Sequence, residues 1–446
     1  MATYYVDPTG PNGVGSEADP FNALPANFSS AGYVNGDIFL FKRGTTYTPS
    51  WGNTPGTPGD AFTVNRTIRF GAYGTGDRPI ISANYTGSAG GRLFRVYVTG
   101  CVFEDLHFAN TNNCHTIYTT NAFADLTVQR CKATQIRGSS SGNEGFVVLG
   151  PSSALTGTAI VTDNEVDGIA NDGIEVRCTG TTIIARNTVK NCSLDTITGD
   201  CVAAVGNSAL LHIYDNNLDH TNKDTKQCII QDGGSTGFAI IENNICNGYF
   251  QDGSFDHTGI YLSLPGIIRN NFIRTWRSGV FLNVANVRVE GNVIIQGGGT
   301  ALTGAVYGSS AGMVVQNNVI WRIAGTDVAD AAIRNNTSNA TNLYRNNIIV
   351  GFNTGIRRGA LAVDSYNDFH QVTTAVRDAS YLPVAAGTGT VYVDPQLNSD
   401  GSIRSSSPVA TAGTYVSGVT LANGRLRPNF VPIGAYMAVL PRTARV

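Results

Sequence analysis

The chain has 446 residues, a length at which one globular core usually divides unless the fold grows by repetition. Its formal net charge is -2 and only 14% of its residues are charged, so it has no excess of basic residues to neutralise nucleic-acid phosphates. No run approaches the roughly 20 apolar residues that a membrane-spanning helix needs. We therefore expect neither a nucleic-acid partner nor membrane insertion.

The N-terminal segment, residues 1–66, differs in pattern from the rest of the chain and is expected to cap the open edge of the first repeat. Within it, Asp19–Leu24 is predicted to start a short helix and Asp37–Phe41 to form a strand. No basic stretch followed by an apolar one comes after Met1, so no signal peptide is expected. The 52 glycines, with abundant Asn and Thr, disfavour helices and suit short strands joined by turns.

Between residues 67 and 380 one element recurs: apolar residues, a polar residue, Asn, one further residue and an apolar residue. From Asn164 the copies lie 23, 29, 27, 27, 22, 25, 29 and 21 residues apart. A period of ~20–30 residues is typical of a solenoid, here of about eleven coils. Asn tolerates a left-handed turn and can bond its equivalents in neighbouring coils. We therefore expect one line formed by Asn187, Asn216, Asn243, Asn270, Asn292, Asn317 and Asn346.

A second strand lies midway through each period and usually opens with a glycine, as at Gly145, Gly173, Gly259, Gly279 and Gly355. Cys201 and Cys228 hold the same register and are expected to lie inside the stack. The eight cysteines are widely spaced, without a CxxC motif, and are interpreted as buried free thiols. The alternative, disulfides, would require an oxidising compartment. Segment 381–446 loses the repeat and is expected to cap the far end or mediate assembly.

With these motifs the chain resembles the right-handed parallel β-helix proteins of the pectate-lyase-like superfamily. Tyr4–Gly10 and Gly36–Gly44 resemble starts common in that group, and Val393–Pro395, Ser406–Ala410 and Pro432–Tyr436 resemble its usual finish. The resemblance covers nearly the whole chain and implies an all-β, single-stranded solenoid. The superfamily contains polysaccharide lyases, polysaccharide hydrolases and phage tailspikes, so the fold does not settle the activity.

The more specific signatures of that group are incomplete in this chain. Asn171–Gly173 matches only the first motif of the polygalacturonase-type hydrolases. The lyases that use a Lys and, one coil later, an Arg beside calcium ligands are not matched, because Arg177 stands in place of the Lys and Ala204–Val205 occupies the next coil. Calcium is expected only if the chain is a lyase. Otherwise no cofactor and no metal ligand is predicted.

Charged residues concentrate on the midway strands between residues 170 and 277, which predicts the active face there. The predicted catalytic residues are Asp172, Glu175, Asp200, Asp232 and His257. The predicted substrate-binding residues are Arg177, Lys226, Asp252, Asp256, Tyr261, Trp276 and Arg277. Aromatic rings can stack on sugar faces and carboxylates can bond hydroxyls.

Glycoside hydrolysis needs one protonated and one ionised carboxyl, ~5–5.5 Å or ~6.5–9.5 Å apart. Stacking would place Asp172 and Asp200 one coil spacing apart, at ~4.8 Å. The alternative for an Asp that precedes Gly at a corner is a turn residue that bonds its own backbone. Likewise, Arg177 and Arg277 can simply pair with neighbouring carboxylates on the surface.

The sequence therefore predicts a polysaccharide depolymerase, a glycoside hydrolase in preference to a lyase, carried by a phage tail. The resemblance to tailspikes implies a homotrimer. The initial Met, the lack of a signal peptide and the eight cysteines favour the phage setting. Two alternatives stay open. One is a secreted bacterial polysaccharide lyase or hydrolase that acts as a monomer, and the other is a non-catalytic adhesin that only binds glycan.

Overall fold

The computed structural model describes residues 1–50, 59–85, 91–112, 114–119, 125–137, 145–150, 156–193, 199–219, 226–234, 236–248, 258–275, 278–297, 304–323, 331–335, 337 and 341–413. The chain forms two compact units. The first unit contains residues 1–212 and 216–225, and the second contains residues 213–215 and 226–446.

Three sets of strands, called sheets A, B and C, form the sides of the coils. Sheet A contains β1 (Thr3–Val6), β2 (Ile38–Lys42), β5 (Arg69–Tyr73), β8 (Cys101–Glu104), β11 (Leu126–Gln129), β14 (Thr158–Thr162), β17 (Thr181–Ala185), β20 (Leu210–Tyr214), β23 (Ala239–Glu242), β26 (Gly266–Arg269), β29 (Val287–Glu290), β32 (Val314–Gln316), β35 (Leu343–Arg345) and β38 (Val363–Ser365). Sheet B contains β4 (Asp60–Val64), β7 (Gly91–Val96), β10 (Cys114–Thr119), β13 (Val147–Leu149), β16 (Ile174–Arg177), β19 (Val202–Val205), β22 (Gln227–Asp232), β25 (Thr258–Leu262), β28 (Ser278–Leu282), β31 (Val306–Gly308), β34 (Ala331–Asn335), β37 (Thr354–Arg357) and β40 (Thr374–Arg377). Sheet C contains β3 (Thr46–Tyr47), β6 (Ile80–Asn84), β9 (His107–Asn112), β12 (Lys132–Ile136), β15 (Glu165–Ile169), β18 (Thr188–Lys190), β21 (Asn217–Asp219), β24 (Ile245–Asn247), β27 (Phe272–Thr275), β30 (Val293–Gln296), β33 (Val319–Arg322), β36 (Ile348–Val350) and β39 (Asp368–His370).

Each coil runs through one strand of sheet A, one of sheet C and one of sheet B, and each strand pairs in parallel with its equivalent in the next coil. This arrangement confirms the predicted right-handed parallel β-helix for each unit. Parallel neighbours joined by a full coil leave both faces of every strand distinct, one toward the core and one outward. On the outward face of each sheet, sheet B included, side chains of successive coils therefore form columns.

The pairing of coils begins before residue 67. The strands β2, β3 and β4, which fall inside the predicted cap, pair in register with β5, β6 and β7. The short helix predicted at Asp19–Leu24 does not form. Instead Phe21 forms a parallel bridge with Val6, and its backbone N–H donates to the Tyr5 carbonyl at 2.9 Å. Backbone groups at this edge are thus paired by the N-terminal segment itself.

The core of the first unit contains a stack of phenylalanines. Phe39, Phe70 and Phe103 follow one another in sheet A, and the rings of Phe70 and Phe103 lie 5.0 Å apart and stacked. In the second unit the core is mainly aliphatic, and its corners are tight. A Cβ at Gly259 would lie 2.4 Å from Cγ2 of Ile273, so only glycine fits where that sheet B strand opens.

All eight cysteines are buried, and none is in a disulfide. They occupy inward positions, including Cys201 and Cys228, as expected from their register. Burial raises the pKa of the Cys131 thiol to about 12, which keeps it protonated and unreactive.

The predicted asparagine line exists as a ladder in each unit, but four of its predicted members are wrong by one residue. The ladder asparagines are Asn164, Asn187 and Asn216 in the first unit and Asn244, Asn271, Asn292, Asn318, Asn347 and Asn367 in the second. Each is at most 1% exposed. In every pair the amide of one Asn donates to the Oδ1 of the next, at 2.9–3.0 Å.

The residue before each ladder Asn adopts the left-handed backbone of the turn. Asn243, Asn270, Asn317 and Asn346, which were predicted as ladder members, have φ of 54° to 59°. The other coils place Asp163, Arg186, Asp215, Gly291 or Tyr366 there. Two properties of Asn, its tolerance of a left-handed turn and its amide bonding, are therefore divided between two neighbouring positions.

The C-terminal segment covers part of sheet C in the second unit. Ile403 and Val409 pack with Val293, Val319 and Ile348, which are buried on the outward side of their strands. A short 3-10 helix, Pro408–Thr411, lies in this segment. Within the described residues, no helix is long and apolar enough to cross a membrane.

Candidate functional site

Glu175 and Arg177 lie on the outward face of β16 in the first unit, as the sequence predicted. Arg177 Nε lies 3.8 Å from Glu175 Oε1, and the Glu175 side chain is only 13% exposed. Burial raises the pKa of the Glu175 carboxyl, and the charge of Arg177 opposes the rise. The result is a carboxyl that holds its proton to higher pH than an exposed glutamate, beside a cation.

Asp172 and Asp200 lie at equivalent corners of successive coils. The Asp172 carboxylate accepts a hydrogen bond from the Asp200 backbone N–H at 2.7 Å, and the Gly173 N–H donates to the Asp200 carbonyl at 2.9 Å. Asp200 is 6% exposed. Asp172 therefore has a turn-stabilising contact of the kind that was the structural alternative for it. A catalytic role for either aspartate stays a prediction.

Three predicted residues lie in the second unit. Lys226 precedes β22, and Asp232 ends that strand with an exposed side chain whose Oδ1 accepts the Gly233 N–H at 2.7 Å. Tyr261 lies on the outward face of β25. The remaining predicted residues lie outside the described part of the chain, and they are Asp252, Asp256, His257, Trp276 and Arg277.

A cluster that the sequence reasoning missed lies on sheet B in the first coils. In β7 the consecutive residues Leu93 and Phe94 are both buried, so the alternation of inward and outward residues is interrupted and Arg92 and Arg95 lie on the same outward face. The same irregularity is repeated in the neighbouring strands, where Asp60 pairs with Arg92 and Arg92 with His115. We call Asp60, Arg92, Arg95, His115 and Tyr118 the bulge cluster.

Within the bulge cluster, the Asp60 carboxylate lies 3.5 Å from Arg92 Nη1 and 3.0 Å from Arg95 Nη1. The Arg92 guanidinium lies 4.6 Å from the centroid of the Tyr118 ring. The centroids of the His115 and Tyr118 rings lie 4.8 Å apart. Burial, followed by the charge of Arg92, lowers the pKa of His115 to about 4. His115 is therefore a neutral imidazole at neutral pH, next to two cations.

The second unit carries a column of aromatic rings on the outward face of sheet B. Tyr261, Phe281 and Tyr307 are directly opposite one another in parallel register. Ring centroids lie 5.1 Å apart for Tyr261 and Phe281, which are stacked, and 4.7 Å apart for Phe281 and Tyr307. All three side chains are partly exposed. We call them the aromatic column.

The same register continues into three arginines, the arginine column. Arg334 follows Tyr307, Arg357 follows Arg334, and Arg377 follows Arg357. The Arg334 guanidinium lies 5.5 Å from the centroid of the Tyr307 ring, so the two columns are in contact.

A sequence signal for both columns exists. Each column residue stands third in a small–aliphatic–X motif at the start of a sheet B strand. The six copies are Gly259-Ile260-Tyr261, Gly279-Val280-Phe281, Ala305-Val306-Tyr307, Ala332-Ile333-Arg334, Gly355-Ile356-Arg357 and Ala375-Val376-Arg377. The glycines at 259, 279 and 355 predicted three of these strands, and the motif adds the alignment of their third positions. The bulge cluster has no comparable sequence signal, because Leu93 and Phe94 interrupt the alternation of its strand.

No cluster of three or more His, Cys, Asp or Glu side chains that could hold a metal ion occurs among the residues described. Asp60 and Glu175 lie beside arginines, and Asp172 accepts a turn amide.

No family model and no curated protein matches the chain. Solved structures of similar chain path include the pectate lyase Pel9A, at 17% identity, covering 98% of this chain and 96% of the other, with a TM-score of 0.40. Another is XylC in complex with xylose, at 10% identity, 98% of both chains and a TM-score of 0.48. A third is the tailspike protein of the E. coli bacteriophage HK620 with a pentasaccharide, at 11% identity, 84% and 77% of the chains and a TM-score of 0.37. At these identities the likeness is one of fold alone.

Proposed function

We propose that the chain is a β-helix polysaccharide depolymerase that binds a long glycan on the aromatic column and cleaves its glycosidic bonds. The observation that carries the proposal is the column itself. Three partly exposed rings in register on a solvent-facing side form an apolar strip. Sugar rings have apolar faces that stack on such rings, and sheet B repeats the platform at each coil, every ~4.8 Å.

A purely structural role for the column is the alternative. Stacked aromatic pairs contribute roughly 0.5–1.5 kcal/mol each beyond area burial, so the rings do stabilise sheet B. The inward side of these strands is already filled, because Ile260, Val280 and Val306 are fully buried. The rings are therefore not needed to complete the core, and their partial exposure is consistent with a binding surface.

For cleavage, we propose Glu175 as the protonated acid and Asp172 as its ionised partner. Burial favours the protonated form of Glu175, whereas a carboxylate that accepts a backbone N–H, as Asp172 does, is stabilised in its ionised form. One protonated and one ionised carboxyl is the arrangement that glycoside hydrolysis requires. Asp200, Asp232 and His257 stay proposed members of the catalytic set.

The bulge cluster favours a second candidate, a polysaccharide lyase. Elimination beside a sugar carboxylate needs a base to remove a proton and a cation to neutralise the carboxylate. The neutral His115 and the guanidiniums of Arg92 and Arg95 provide these properties on one face. We also keep an extracellular setting, on a phage tail or secreted, and a homotrimer as parts of the proposal. Light scattering on the purified protein measures the oligomeric state.

The test is to incubate the protein with a panel of capsular and algal polysaccharides, following new reducing ends and the ultraviolet absorbance of unsaturated sugars. Reducing ends without the absorbance indicate the hydrolase, and both together indicate the lyase. On a cleaved glycan, Glu175→Gln should lower turnover by about 10²–10⁴-fold if Glu175 is the acid. His115→Gln should have that effect instead if the bulge cluster acts. Binding without any cleavage would support a non-catalytic adhesin and contradict the proposal of an enzyme.

A further inference from the structure

One outward column of sheet A in the second unit places acidic and basic side chains next to one another. In the second unit Glu242, Arg269 and Glu290 are opposite one another in register, and Arg269 Nε bonds Glu242 Oε2 at 2.6 Å. Gln316 and Arg345 continue the row, with Gln316 donating to Glu290 at 2.8 Å. Opposite charges directly across strands are favourable, and like charges are unfavourable.

The arginine column of sheet B differs from that column of sheet A, because its members all carry the same charge. Arg334, Arg357 and Arg377 bring three guanidiniums of the same sign to successive coils. In the part of the chain that the structure describes, no carboxylate lies within 4.0 Å of Arg357 or Arg377. Each repulsive neighbour costs stability, and no described carboxylate offsets that cost at Arg357 and Arg377, so an external anion bound there would be stabilising.

Arg357 is also held in place. Arg357 Nη1 donates to the Tyr381 hydroxyl at 2.6 Å and Nη2 to the Ala379 carbonyl at 2.9 Å, and its guanidinium lies 3.7 Å from the Tyr381 ring centroid. Arg377 has a single long bond, 3.4 Å, to Thr374 Oγ1. A guanidinium that is oriented by neutral partners keeps its full charge for a ligand and loses little freedom on binding.

We propose that the arginine column binds acidic groups of the glycan, so that the substrate is an anionic polysaccharide whose chain continues from the aromatic column. This inference rests on the proposed function, because it extends the same surface. The shared chemistry is a carboxylate or sulfate group repeated along the chain, and planar guanidiniums suit both. A single-stranded nucleic acid also combines stacking with negative charge. The net charge of -2 and the presence of only three stacked arginines favour the glycan.

The experiment is affinity electrophoresis of the whole chain in native gels that contain polygalacturonate, its methyl-esterified form, dextran sulfate, dextran or single-stranded DNA. We expect retardation by at least one of the two anionic glycans and much weaker retardation by the methyl ester and dextran. Polygalacturonate against dextran sulfate distinguishes carboxylate from sulfate. The double variant Arg357→Gln/Arg377→Gln should weaken binding by roughly tenfold or more. Arg377→Gln alone, which disturbs few contacts, should have a smaller effect in the same direction.

The matched control is Arg404→Gln, because Arg404 is exposed on the C-terminal segment and carries the same charge. It should bind like the unaltered chain. No retardation by either anionic glycan, equal binding of the acid and its methyl ester, undiminished binding by the double variant, or tighter binding to DNA would each overturn the inference. Cleavage of a neutral glycan through the aromatic column would overturn it while leaving the proposed function intact. Arginine-dependent binding without any cleavage would support the inference and contradict the proposed enzyme activity.

Discussion

The doubled asparagines of the second unit allow a direct test of how the coils are held together. Asn270 and Asn271 are neighbours of the same type, but only Asn271 belongs to the ladder. We predict that Asn271→Ala is strongly destabilising and that Asn270→Gly is nearly neutral. The pair is its own control, because both changes remove an asparagine side chain from the same turn.

The magnitude is set by the contacts that each side chain makes. Asn271 is fully buried, its Oδ1 accepts from the Asn244 N–H and Nδ2 at 2.9 and 3.0 Å, and its Nδ2 donates to the Ile241 carbonyl and to Asn292 Oδ1 at 2.9 and 3.0 Å. At about 0.5–1.5 kcal/mol for each bond, plus the cost of buried groups left unpaired, the loss is roughly 3–6 kcal/mol. Asn270 has φ of 57° and a buried Oδ1 without a partner among the described residues, and glycine suits that φ, so its replacement should change stability by less than about 1 kcal/mol.

The assay is thermal unfolding followed by circular dichroism, with denaturant midpoints as a second measurement. For a unit of this size, ~2–4 °C per kcal/mol predicts a fall of about 6–24 °C for Asn271→Ala. If Asn270→Gly lowers the melting temperature as much as Asn271→Ala does, the separation of the turn position from the ladder position is wrong.

Three further predictions concern the site, the pH dependence and the thiols. Tyr261→Ala, Phe281→Ala and Tyr307→Ala should each weaken glycan affinity about tenfold or more in affinity gels, whereas Tyr392→Ala, an exposed ring on the C-terminal segment, should not. Burial, with the charge of Asp394, raises the pKa of Asp368 from 3.8 to about 7, so its protonated carboxyl favours folding fully below pH 3.8 and that contribution is lost as the pH rises through 7. Asp368→Asn should therefore reduce the fall in melting temperature between about pH 5 and about pH 8 by an amount equivalent to roughly 3 kcal/mol, and an unchanged fall would contradict it. Thiol titration should find eight free sulfhydryls in the denatured protein and few in the native one, and a count well below eight would indicate disulfides.

The outer faces of the second unit differ in how available they are for a ligand. On sheet C, Val293, Val319 and Ile348 are covered by the C-terminal segment. On sheet A, Arg269 pairs with Glu242, Gln316 bonds Glu290, and Arg345 bonds Gln316. Within the described residues, only the outer face of sheet B carries partly exposed rings that are followed by a run of arginines. That contrast is the reason for assigning the glycan to sheet B.

The asparagine repeat predicted the solenoid because its period is a property of the chain, independent of how coils pack. The position of the ladder was less certain, since either residue of an Asn-Asn doublet satisfies the motif. Coils with a single asparagine, such as Arg186-Asn187 and Gly291-Asn292, contain the information that assigns the second position. The predicted helix at Asp19–Leu24 failed because backbone pairing with the first strand outweighs a weak local preference.

By itself, the sequence determined the fold class, the recurring asparagine turn, the midway strand of each coil and the buried positions of the cysteines, because these follow from a period along the chain. Only the tertiary structure decided which outward residues meet. Tyr261 and Tyr307 are 46 positions apart in the chain but two coils apart on one column. Arg92 and Arg95 share a face only because the two residues between them, Leu93 and Phe94, are both buried. Coil lengths vary with their loops, so the register that brings such residues together is fixed by the stacking of backbones.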